Sequence, residues 1–171
     1  MITIEFNDDE LAPALARLDA SLGDLTPLME ELGELWLAST RDRMKDGEDA
    51  EGNKFAPRSE VTVQRYIEQG LSYGAPLNRS GDMRLNLAFD AGPDYIRIGS
   101  NAIQAAVMQF GAEQGEFGAF IGKDSKGRDH LHHIPWGDIP ARPFLGFSEE
   151  DRTSFIAQIE DWLESTAAGG D

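Results

Sequence analysis

The chain has 171 residues, no cysteine, and 31 acidic against 15 basic side chains, a formal net charge of −16. That length suits a single domain burying roughly two thirds of the surface its unfolded form exposes, and the absence of thiols excludes disulfides, zinc–thiolate centres and cysteine nucleophiles. Such acidity opposes specific binding to a nucleic-acid backbone.

Residues 2 to 6 alternate polar and apolar side chains and predict a short strand, without the basic and apolar regions of a signal peptide. Asn7-Asp8-Asp9 starts a helix carrying Leu11, Leu15 and Leu18 on one face and stopping near Gly23. A longer helix restarts at Asp24 to Pro27, with proline tolerated in the first turn, and sets Leu28, Leu32, Leu35, Trp36 and Ser39 along one stripe to about Lys45. The acidic, glycine-bearing run 46–53 is a surface turn. Phe55 then plugs the core ahead of a helix from about Glu60 to Gln69, and 70–76 is loop. After Gly81 a helical turn with Met83, Leu85 and Leu87 passes into a strand to Ala91. Gly92-Pro93-Asp94 turns the chain into a returning strand, Tyr95 to Gly99. Residues 102 to 110 predict a buried helix, with Phe110 in the core.

Beyond Gly111 the glycines at 115, 118, 122 and 127 break regular structure, so 112–128 is expected as a flexible loop. Its contact residues are Gly115, Phe117, Gly118, Phe120 and Gly122. A terminal amphipathic helix follows Ser148, with Phe155, Ile156, Ile159, Trp162 and Leu163 at helical spacing, and 166–171 should be a disordered tail. No repeat or linker divides the chain, and no eighteen-residue apolar run spans a membrane. The expected architecture is one α+β domain over 1–165: a small, mostly antiparallel sheet packed against several helices, with a long N-terminal helix and a C-terminal amphipathic one.

Catalytic motifs fail on their own terms. A phosphate-binding loop ending at Gly122-Lys123 would need glycine where Phe117 stands and serine or threonine where Asp124 stands. Neither a Gly-x-Ser-x-Gly elbow nor a His-Glu-x-x-His helix occurs. His130-Leu131-His132-His133 has metal-ligand character, because His130 and His132 share one face of a strand with Asp129 and Asp138 nearby. Hydrogen bonding, packing or a pH-sensitive contact is the preferred role for this cluster. A small metal-dependent enzyme built on His130, His132 and Asp138 is the outlying alternative. No catalytic residue, metal or cofactor is assigned.

The segment from Ile139 to Ser148 is the most specific in the chain. Pro140 and Pro143 each fix their own φ and push Ile139 and Arg142 towards extended geometry, so the segment is a stiff arm and neither helix nor central strand. It carries Ile139, Arg142, Phe144 and Leu145, the apolar and arginine chemistry that concentrates binding energy at interfaces. Such an arm loses little entropy on docking. The preferred reading places Ile139, Pro140, Arg142, Pro143, Phe144 and Leu145 against a neighbouring subunit, so that Arg142→Ala and Phe144→Ala stay folded. The alternative is that the arm folds back to seal its own core.

Five blocks together carry a resemblance: Gly52-Asn53-Lys54-Phe55-Ala56-Pro57-Arg58, Asn78-Arg79-Ser80-Gly81-Asp82-Met83, Ile98-Gly99-Ser100, Met108-Gln109-Phe110-Gly111, and the proline–arginine arm with its helix. In this order, over about residues 50 to 163, the chain resembles the phage virion morphogenesis family, the Mu-like group related to tail completion proteins of contractile-tailed phages. Phe55 stands where that family more often has tryptophan, Met83 where leucine is usual, and Met108 where histidine often precedes Gln-Phe-Gly.

The resemblance implies a structural or assembly protein, not an enzyme, at the head–tail connector or head-proximal tail end, in a tail completion, terminator or neck role. Identical subunits would close a ring of six or twelve copies and meet other neck, portal-side or tail tube proteins. The preferred reading of the acidity is solubility before assembly, and the resemblance makes available a second, an acidic lumen wall that does not hold passing DNA. The protein would be made in the host cytoplasm and carried in the virion. A capsid morphogenesis factor absent from the mature virion is the alternative within phage biology.

Overall fold

The computed structural model describes residues 11–123 and 125–168; the strand and helix start expected over 2–9 lie outside them. Among the described residues, six helices and four strands follow in chain order: α1 (Leu11–Leu22), α2 (Thr26–Asp46), α3 (Glu60–Glu68), α4 (Asp82–Leu85), β1 (Leu87–Gly92), β2 (Tyr95–Ser100), α5 (Ala105–Phe110), β3 (Ala119–Lys123), β4 (Asp129–His133) and α6 (Glu149–Ala168). The architecture is α+β. Its strands form two separate two-stranded sheets, β1–β2 and β3–β4, where one small sheet was expected.

Local chemistry explains most of these boundaries. Asp24 accepts the Thr26 amide at 2.9 Å, capping the start of α2, and these bonds hold its carboxyl below the usual aspartate range. Arg43 and Lys45 in the last turn of α2 face its negative end. Ser59 caps α3 through the Thr62 amide. Acids crowd the first turn of α6, where the helix dipole favours them. That helix continues through Thr166–Ala168, three residues that the sequence reading assigned to the tail.

By its internal contacts the chain divides into two units. Of the described residues, the first contains 11–38, 89–98 and 149–168, and the second contains 39–88 and 99–148. In the first, Leu28 and Leu32 of α2 are buried as their stripe predicts. Helices α1 and α6 pack together, and Arg17 Nη2 donates to the Ala167 carbonyl. Gly33 is buried one position from Leu32 because the Phe89 ring lies where a side chain would stand; a Cβ there would sit 2.4 Å from a ring carbon. The second unit buries Thr40, Met44, Phe55, Met83, Leu87 and Phe144. Phe55 thus plugs the core as the sequence predicts.

The largest departure is the segment expected to lack regular structure. Ala119–Lys123 pairs antiparallel with Asp129–His133, with Phe120 opposite His132 and Ile121 opposite Leu131. Backbone bonds extend the pairing on both sides of Gly118, from Ile134 N to Gly118 O and from Phe117 N to Ile134 O, each 2.8 Å. Glycine spacing hid this hairpin, since the apolar residues of 117–121 do not alternate cleanly.

Replacing Gly33 by alanine removes up to about 1 kcal/mol of intrinsic helix penalty but drives a methyl into the Phe89 ring, an overpacking cost of about 1–3 kcal/mol. Packing wins, and Gly33→Ala should lower unfolding stability in urea. Adding Phe89→Leu should recover part of the loss.

Candidate functional site: the braced arm and the surface around it

The arm runs extended from Ile139 to Ser148 and is bonded along its length within the second unit. Ile139 and Ala112 exchange backbone bonds of 2.8 and 2.9 Å, and the Arg142 amide donates to the Met108 carbonyl at 2.7 Å. Gln109 then does what a strand partner would do. Its Oε1 accepts both the Phe144 and Leu145 amides, at 3.0 and 2.9 Å, and its Nε2 donates to the Leu145 carbonyl at 3.1 Å. One side-chain amide therefore satisfies three main-chain groups that the prolines leave without a ladder. Farther along, Arg43 Nη2 donates to the Gly146 carbonyl at 3.0 Å.

Gly111 makes the approach possible. It has φ +79°, and a Cβ there would stand 2.8 Å from the Ile139 carbonyl oxygen. Only glycine fits both the left-handed backbone and the contact.

Arg142 is 7% exposed and Phe144 only 1%. The Arg142 guanidinium donates through Nε to the Ala56 carbonyl and through Nη2 to the Pro57 carbonyl, both at 2.7 Å. Burial first, and then the nearby Arg58 charge, hold its pKa below the ordinary arginine value. Thus the blocks 52–58, 108–111 and 139–148, far apart in sequence, meet at one clamp. Within the chain, Arg142 and Phe144, two of the six arm residues expected against a neighbour, are instead enclosed by their own unit, while Pro140, Ala141 and Pro143 are exposed. Leu145 and Ile139 are half-buried.

The exposed apolar surface lies beside the arm. Phe110 is 79% exposed, which corrects the expectation that it fills the core, and none of α5 is buried. Its composition alone does not separate a core helix from an exposed one. Phe117, Phe120, Ile121, Leu131, Ile134 and Trp136 are exposed as well. Of the expected loop contacts, Phe120 and Gly122 lie in β3 and Gly115, Phe117 and Gly118 precede it.

The histidines do share a face, as expected. His130 and His132 meet edge to face with ring centroids 4.9 Å apart, and Phe120 stacks on His132 at 5.1 Å. Asp138 is engaged elsewhere, accepting the Gln114 amide at 2.8 Å. Among the described residues, no group of three or more histidine, aspartate or glutamate side chains is arranged to hold a metal ion.

Sequence reasoning missed two residues. Gln109 was read only as part of a core-and-turn motif, although its place beside a proline-braced arm was a signal that the arm needs donors and acceptors. Arg58 lies with its Cζ 5.3 Å from the Tyr73 ring and 5.9 Å from the Tyr66 ring, and donates to the carbonyls of Gly74 and Ala75.

An acidic α+β chain whose arm is clamped inside while a band of aromatic side chains faces out has the build of an assembly protein. The model of the phage virion morphogenesis family matches residues 6–164, and the chain belongs to that family. Its role is therefore that of a phage structural or morphogenesis protein. It is similar to Mu-like prophage FluMu G protein 2 of Haemophilus influenzae, 24% identical over 165 residues covering 96% of this chain and 97% of that one. No solved structure matches the chain significantly.

Phe144→Ala should destabilise the protein by about 3–5 kcal/mol through loss of a buried ring. Gln109→Ala should cost about 1–3 kcal/mol by orphaning two amides. Guanidinium chloride unfolding checks both. A Phe144→Ala protein that unfolds like the wild type yet fails to assemble would return the arm to its neighbour.

Proposed function

We propose that this protein acts stoichiometrically at the head–tail connector or head-proximal end of the tail, as a ring of identical subunits with a completion, terminator or neck role. The observation that carries the reading is the aromatic and aliphatic band from Phe110 to Trp136, which this chain leaves exposed. Large apolar side chains left exposed in such number over one stretch of chain mark an interaction site. Subunits of one kind meeting through two different surfaces close into rings when the rotation permits. The clamp around Arg142 and Phe144 supports the role by making the arm a rigid floor for that surface, and the exposed edge at Pro140, Ala141 and Pro143 offers the contact.

A two-stranded hairpin is marginal in water without packing, so β3–β4 gains stability when covered by a neighbour. The partners in this reading are further copies of the chain and the neck, portal-side or tail tube proteins. The net charge of −16 suits a lumen wall along which DNA slides without adhering.

Light scattering on the purified protein, alone and with tail tubes, should show a species of six or twelve subunits. Immunoblots of purified virions should find the protein at a constant ratio to the tube protein. Absence from virions would favour a capsid maturation factor. A chain that stays monomeric in both mixtures would remove the ring.

A further inference from the structure

We propose that the groove beside the arm receives the acidic outer stripe of α6 from a second copy of this chain. This rests on the ring reading above and names the contact that would close it. The groove, about 650 Å³, lies within the second unit, between α3 and the segment leading into the arm. Its apolar walls include Pro57, Val61, Tyr66, Trp136, Ile139 and Pro140. Val61 is 56% and Trp136 74% exposed, so the lips of the groove are themselves unburied apolar surface.

The charge in this groove is unusual for so acidic a chain. Arg58, Arg142 and Asp138 line it. Arg142 gives its hydrogen bonds to the carbonyls of Ala56, Pro57 and Pro140 and a long contact to the Met108 sulfur, and Arg58 gives its own to the carbonyls of Gly74 and Ala75. Carbonyls satisfy donors without cancelling charge. Two guanidinium groups close enough for one to disfavour the other's ionisation therefore stand over an apolar groove. Arg79, 5.6 Å from the Tyr66 ring, adds a third cation at its margin. The fitting occupant presents a carboxylate between apolar side chains.

A second copy carries that pattern. On α6, Ile156, Glu160 and Leu163 follow at i, i+4 and i+7, and all three are exposed. The helix bears Glu149, Glu150, Asp151, Glu160, Asp161 and Glu164 against Arg152 alone. An amphipathic helix laid in an apolar groove is a recurrent recognition mode. Here the groove and the stripe are different surfaces of one molecule, which gives the head-to-tail contact that rings need.

The test uses the full-length protein with a photoactivatable benzoylphenylalanine at the exposed position 61. Irradiation should give a two-copy adduct whose foreign peptide maps to α6. Arg58→Glu and Glu160→Lys should each weaken self-association at least tenfold, raised salt should weaken the wild type, and the two variants mixed or combined should recover association. If Arg58→Glu loses its circular dichroism, Val61→Asp replaces it and should weaken association equally; wild-type association by that variant overturns the proposal. An oligomer that forms without the α6 adduct also overturns it while leaving the ring intact. An adduct found only with tail proteins shows that another protein fills the groove and overturns it, and a chain that never self-associates overturns it together with the ring.

Discussion

The structure of the second unit depends on one substitution of roles: side chains bond the arm where a sheet would normally do so. Proline at 140 and 143 removes two backbone donors and forbids regular pairing. Gln109 and Arg142 supply what is missing, the first by holding the amides of Phe144 and Leu145, the second by tying the arm to Ala56 and Pro57. Phe144 can then sit fully enclosed. Without those bonds its burial would strand polar main-chain groups in an apolar setting, and an unsatisfied buried amide costs on the order of 1–3 kcal/mol. The two effects are coupled: the ring draws the arm in, and the amide and guanidinium make that position tolerable.

This coupling explains why the family's separated motifs belong together. Residues 52–58 provide the carbonyls, residues 108–111 provide Gln109 and the glycine that lets the chains approach, and the arm provides the cation and the ring. Gly111 illustrates the constraint, since both its positive φ and the nearness of the Ile139 carbonyl exclude a side chain. The apolar band from Phe110 onwards is then left facing outwards by the same geometry that turns Gln109 inwards. Consecutive residues of a short helix point in different directions, so one motif serves the clamp and the surface at once.

Periodicity made the long helices legible. Leu28 and Leu32 on the α2 stripe, the glycine–proline–aspartate turn between β1 and β2, and the acids opening α6 all appear where local chemistry puts them. Phe55 was also legible as core, being an isolated large apolar residue flanked by turn formers. The β3–β4 hairpin was not, because Gly118 and Gly122 interrupt its alternation and charged residues fill its tip. Phe110 was misjudged for a different reason. A helix rich in alanine, valine, methionine and phenylalanine reads the same whether it is destined for a core or for a partner, and only the fold distinguishes them. The arm posed the reverse problem, since arginine and phenylalanine beside prolines suit either an interface or a hidden clamp. The side chain that decides between them, Gln109, lies more than thirty residues earlier in the chain.

The fastening of the arm also has a chemical character of its own. A guanidinium keeps its proton at any pH a virus meets, and neither peptide carbonyls nor a glutamine amide titrate. Carboxylate-based fastenings let go in acid, and histidine-based ones change near neutrality; the bonds that Gln109 and Arg142 make here involve neither. Those donors and acceptors therefore keep one state from acid to mildly alkaline solution, so loosening of this unit by pH would have to start somewhere else.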